Sequence, residues 1–137
     1  MPGSQAPSIL RISEHEPEEF FDVEKLFGRI EGFVRQRQNK QPVIITIETP
    51  GKGAMGIGIG ARQGLCLHHM PEDNEPPYLA SINETENSDD TVDYYLFGNH
   101  HTEVETRHII GIAPALEAVG EFCRTGALSG AISWTEV

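Results

Sequence analysis

QPVIITIETPGKGAMGIGIGARQGLCLHHM, residues 41–70, decides the fold of this chain. Apolar and β-branched residues alternate through it, and Pro50-Gly51 and the segment from Gly60 to Gly64 divide it into three runs. Successive side chains on a strand point to opposite faces, so the pattern predicts three adjacent antiparallel strands at about 43–49, 54–60 and 64–70. In the middle run Met55, Ile57 and Ile59 share one face, while Gly56, Gly58 and Gly60 leave the other without side chains. Such a bare face accepts either a closely packed helix or the backbone or side chain of a partner. Its glycines alternate instead of following GxGxxG, and no helix follows them, so the segment does not read as a phosphate loop.

Upstream, the apolar period changes from two to that of a helix. From Pro17, a residue suited to a first helical position, Phe20, Val23, Phe27, Ile30 and Val34 form a stripe that Phe21, Leu26 and Phe33 widen. The spacing predicts an amphipathic helix of about five turns. Glu16, Glu18 and Glu19 at its start and Arg35, Arg37 and Lys40 at its end suit the helix dipole. Residues 1–7 read as a loose tail and Ser8 to Ile12 as a short first strand.

Downstream, Pro71 to Pro77 reads as a loop, Tyr78 to Ile82 as a strand and the acidic run NETENSDD, 83–90, as a second exposed loop. Val92 to Phe97 and Thr102 to Glu105 resemble a hairpin closed around Gly98-Asn99. Pro114 to Thr125 has helical spacing, with Gly126 placed to cap its end. GAISWTEV, 130–137, closes the chain with a half-buried strand. The expected architecture is one α+β domain over residues 1–137, a mainly antiparallel sheet of about five to seven strands with two helices packed on one side.

A chain of 137 residues hides roughly two-thirds of its unfolded surface and needs no disulfide or metal staple. No window approaches the roughly 18 uninterrupted apolar residues of a membrane span. The first residues lack the basic segment, apolar run and cleavage site of a secretory signal, so cytoplasmic residence is expected. Cys66 and Cys123, without partners at metal-ligand spacing, read as small buried hydrophobes.

The net charge of −11 is unevenly placed. Residues 1–63 hold eight acids and eight bases, whereas residues 64–137 hold thirteen acids against Arg107 and Arg124. Such a field repels phosphate backbones and attracts a basic partner, which argues against direct nucleic-acid binding. The candidate partner-binding residues are therefore acidic: Glu72 and Asp73 in the first loop, and Glu84, Glu86, Asp89, Asp90 and Asp93 in or beside the second. Clusters of Arg and Lys that bind phosphate also accept carboxylates. Trp134 and Glu136 join the candidates, because a regular last strand puts an indole and a carboxylate on one face at the rim of the core.

Six histidines invite a metal proposal, with His68-His69, His100-His101 and His108 foremost. Neighbours on a strand point to opposite faces, so neither pair supplies two ligands to one ion from regular geometry, and no HExxH is present. There is no Gly-x-Ser-x-Gly either. No catalytic residue, metal or cofactor is assigned. The alternatives are a small histidine-based, metal-dependent enzyme and a module that binds some other basic protein.

The C-terminal stretch IIGIAPALEAVGEFCRTGALSGAISWTEV, 109–137, carries a resemblance. Its order of a short apolar strand and Pro, an Ala-rich helix ending in Glu-Phe and Thr-Gly, and a strand ending in Trp-x-Glu resembles the first family of immunity proteins in bacterial polymorphic toxin systems, those encoded beside deaminase toxins. Ile112, Pro114, Ala115, Ala118, Glu121, Phe122, Thr125, Gly126, Trp134 and Glu136 fit that pattern. The segments PVIITIE, MGIGIG and GLCLHHM look like the family's central hairpins, and the likeness covers about residues 20–137. The resemblance implies a cytoplasmic α+β protein without catalytic activity. Its implied partner is a cognate deaminase toxin domain, bound 1:1, whose substrate or active-site access it blocks.

Overall fold

The three runs of residues 41–70 become three consecutive strands at the centre of one sheet. In the computed structural model, which describes residues 6–12, 15–61, 63–86, 89–97 and 100–137, the chain begins with β1 (Ser8–Ile12), β2 (Glu18–Phe20) and α1 (Val23–Gln36). The central strands follow as β3 (Val43–Thr49), β4 (Gly53–Ile59) and β5 (Gly64–Met70), then β6 (Leu79–Ile82) and the hairpin strands β7 (Thr91–Phe97) and β8 (His100–Glu105). A single 3-10 turn, Thr106–His108, leads to β9 (Ile109–Gly111), α2 (Ile112–Thr125) and β10 (Ser133–Glu136). The expected turn at Gly98-Asn99 and the start of the expected tail lie outside the described residues.

The sheet runs β10-β6-β5-β4-β3-β1-β2, with β9 also pairing β5 and β7 joining the start of β3 in parallel at Val43 and Tyr95. Apart from that contact its ladders are antiparallel. The architecture is thus α+β as expected, but with ten strands among the described residues instead of about five to seven. Two of the additional strands, β2 and β9, have three residues each, too short to show a period.

Both helices lie on one face of the sheet. Ile45, Ile47, Met55, Ile57, Ile59, Leu65 and Leu67 form a single core with Leu26, Ile30 and Val34 of α1 and Ala115, Ala118, Val119 and Phe122 of α2. Each of the buried Val, Leu, Ile, Met and Phe side chains among them contributes about 1.5–3 kcal/mol. The helices are tied by Arg124, whose Nε donates to Glu24 Oε2 at 2.9 Å and whose guanidinium lies over the Phe27 ring. That contact holds the exposed Glu24 carboxyl below its usual range. Gly126, at φ 76°, closes α2 with its N–H on the Phe122 carbonyl.

The first helix starts later than Pro17 predicts. Asp22 caps it, its carboxylate accepting from Glu24 N at 2.9 Å, and Glu18–Phe20 is drawn into an antiparallel ladder with β1. Glu16, Glu18 and Glu19 therefore lie before the helix instead of in its first turn. Glu18 instead reaches the helix from outside, accepting from Arg29 Nε at 3.0 Å. Among the described residues, no helix is long and apolar enough to cross a membrane.

Candidate interaction surface

The helices cover the Ile57 face of β4, and the glycine face is turned away from them. Here the chain supplies its own cover. The β7–β8 hairpin folds over this second face and packs Tyr94, Val104 and Val92 against Cys66, Ile109 and Ile44. Tyr94 is fully buried. A Cβ at Gly58 would overlap the Cys66 sulphur and the Tyr94 ring, so that glycine is required by the hairpin. Burial raises the Tyr94 hydroxyl above its ordinary pKa and pushes the Cys66 thiol up to about 11.

The cover is incomplete. Beside the hairpin lie two depressions of about 390 and 510 Å³ that share Thr46 and Met70, making one open trough across β3, β4 and β5. One end is flanked by Glu48 and Glu72, and the other by Glu103 and Glu105. Arg11 holds Glu48 at 2.7 Å and Arg107 holds Glu105 at 3.2 Å.

The acidic candidates do not form one cluster. Glu72 and Asp73 lie in the exposed loop joining the end of β5 to the start of β6, where Glu72 Oε2 accepts from Gly53 N at 3.1 Å and Asp73 Oδ1 from Glu75 N at 3.0 Å. Glu84, Glu86, Asp89 and Asp90 follow the other end of β6, and this loop is anchored where Asn83 N meets the Arg107 carbonyl and Thr106 N meets that of Asp90. Asp93 is exposed on β7 directly opposite Glu103 of β8. Like charges opposed across a ladder repel. Among the described residues no cation pairs with either, although Glu103 Oε2 accepts a long bond from the Thr91 hydroxyl at 3.4 Å.

Sequence reasoning missed Glu103. A two-residue turn at Gly98-Asn99 would place Asp93 opposite Val104 by simple counting, but a bulge between Tyr95 and Phe97 shifts the register by one residue. The Tyr94-containing alternation of β7 was the available signal, since it requires Asp93 to face away from Val104.

The histidines separate as adjacent strand residues must. His69 meets the Phe122 ring edge-on, with centroids 5.8 Å apart, on the helix side. His68 lines the trough, and burial, with neighbouring His108, lowers its pKa. His100 and His101 are exposed on β8, where His101 stacks obliquely on Tyr95. His108 is buried and forms a reciprocal pair with Ser81: His108 Nδ1 donates to the Ser81 carbonyl at 2.9 Å, and Ser81 Oγ donates to the His108 carbonyl at 2.7 Å. Among the described residues no three His, Cys, Asp or Glu side chains are grouped to hold a metal ion.

Trp134 is half-buried against the helix-side core, with Nε1 donating to the Ser129 carbonyl at 2.9 Å. Glu136, two residues on, is exposed on β10, the outermost strand beside β6.

The family described as Immunity protein Imm1 matches residues 21–136. The chain belongs to this Imm1 family. Compared with curated proteins it matches none. It is thus an immunity protein, a family whose members act by binding a toxin. The match includes every residue on which the C-terminal resemblance rests, and several of these build the fold of this Imm1 protein. Ala115, Ala118 and Phe122 are core residues, Gly126 ends α2 and the Trp134 indole is tied to Ser129.

Proposed function

We propose that this Imm1 protein neutralises a cognate nucleic-acid deaminase toxin by occupying the basic approach to its active site, in a 1:1 complex and without turnover. The observation that carries this reading is the exposed Asp93–Glu103 pair, which opposes two carboxylates at a cost to the hairpin. A cation from a partner would turn that repulsion into charge-assisted bonding. A deaminase acting on a nucleic acid needs a positive path to its zinc pocket, and an acidic protein is suited to fill it.

The contact surface is built around the trough. Glu72 and Asp73 stand toward one end, Asp93 with Glu103 toward the other, and Glu84, Glu86, Asp89 and Asp90 extend it along the second loop. Glu136 and the half-buried Trp134 contribute from the edge strand β10. Binding takes place in the cytoplasm, where the toxin would otherwise reach its substrate.

The test is co-purification with the toxin domain encoded by the neighbouring gene, followed by that domain's deaminase activity on single- and double-stranded DNA as the Imm1 protein is added. Activity is expected to fall linearly to zero at one equivalent. A complex that leaves deamination intact would overturn the blocking mechanism, and absence of a complex would overturn the assignment of partner.

A further inference from the structure

We propose that the trough over Gly56 is a socket for one basic side chain of the bound toxin. The proposal rests on the toxin-binding reading above and adds the place and chemistry of its anchor.

Gly56 and Gly58 lie on the same face of β4, yet only one is explained by the fold. Gly58 makes room for Tyr94 and Cys66. A Cβ at Gly56 would meet nothing closer than His68 Cβ at 3.6 Å and Ile44 Cγ2 at 3.8 Å, which is ordinary contact. Its φ does not demand glycine either. Glycine inside a strand weakens it, and one that the chain's own packing does not require marks a close approach by something else.

The walls say what approaches. Ile44, Met70 and Val104 present apolar surface for the methylenes of a long side chain. No Lys or Arg lines this part of the trough, while Glu103 and Glu105 do. Glu105 is engaged by Arg107, and the exposed Glu103, opposite Asp93, stands at the rim to meet an incoming charge. Deeper in, His108 is only 6% exposed, and its Nδ1 is spent on Ser81. A long basic side chain, arginine or lysine, can lay its methylenes on the apolar walls and bring its charge to the carboxylate at the rim.

The experiment compares toxin binding and thermal stability for wild type, Gly56→Val, Glu103→Gln and, as a control on exposed α2, Glu117→Gln. Gly56→Val fills the socket with a good strand former, so its melting temperature is expected to hold or rise while the dissociation constant rises at least about tenfold. Glu103→Gln is expected to weaken binding chiefly at low salt, and Glu117→Gln to leave it unchanged. Unchanged affinity in both socket variants would overturn the proposal while leaving toxin neutralisation standing. Loss of the folding transition in Gly56→Val would place the need for glycine in the fold and overturn it too. A wild-type dimer that Gly56→Val makes monomeric would assign the trough to a second copy of the chain, again overturning it. If wild type does not bind the toxin, both the reading and its anchor fall.

Discussion

Ser81 holds together a place where the sheet divides. β5 pairs with β9 through residues 64–66 and with β6 through His68 and His69, so Leu67 lies at the junction. There the Ser81 hydroxyl takes the place of a backbone acceptor, receiving Leu67 N at 2.9 Å while donating to the His108 carbonyl. Ser81 is fully buried, so water cannot replace the hydroxyl without rearrangement. Ser81→Ala is expected to lower unfolding free energy by about 1–3 kcal/mol in urea titration, because it strands a buried N–H. A loss below the error of that titration would show that the ladder closes without the hydroxyl. His68, across the trough, makes stability depend on pH. Burial and His108 lower its folded pKa below the ordinary 6.5, so the unfolded chain binds the proton more tightly. Its contribution is complete above about pH 6.5 and declines as pH falls from there toward the folded value. His68→Gln is expected to flatten the stability profile in that window, and a variant profile parallel to wild type would rule out His68 as the source.

At the scale of elements, legibility followed length and period. β3 and β5 were predicted as found and β4 to within a residue, because seven-residue apolar runs bounded by turn signals leave no competing helical reading. α2 was also legible to within two residues at its start, its end fixed by the positive-φ glycine. The beginning of α1 was misread because Phe20 and Phe21 continue an apolar stripe that the backbone does not. Phe20 packs on the core from β2, whereas Phe21 is 73% exposed, and Asp22 is the true cap. Period says which residues are buried, and several backbones can bury the same ones. The second face of the sheet was half legible: the bare glycine strand was visible, but not that the hairpin would cover Gly58 and leave Gly56 open. That depends on a bulge, which inserts one residue and leaves no compositional mark at Leu96.

Over the whole molecule, eight of the ten Lys and Arg residues lie in the first half of the sequence and the acidic excess lies in the second. Among the described residues, Arg11, Arg29 and Arg35 pair with Glu48, Glu18 and Glu31 of their own half. Across the halves, Arg124 crosses to Glu24, while Arg107 is taken by Glu105. The second loop and hairpin, residues 83–105, carry seven carboxylates and no Lys or Arg of their own, which gives this part of the chain a negative field. A field of this kind acts before contact: it speeds encounter with a basic surface and is screened beyond roughly 8 Å at physiological salt. Neutralising Glu84, Glu86, Asp89 and Asp90 together is therefore expected to slow association with the toxin on the order of tenfold at low salt and to flatten its dependence on ionic strength. Dissociation should change far less, because a long-range field contributes little once the surfaces have met. Stopped-flow association across a salt series separates the two effects. If the quadruple variant slows dissociation or speeds it as strongly as wild-type association is slowed by salt, these carboxylates make short-range contacts instead of steering. If neither rate moves, the field that guides the toxin comes from Asp93, Glu103 and the trough alone.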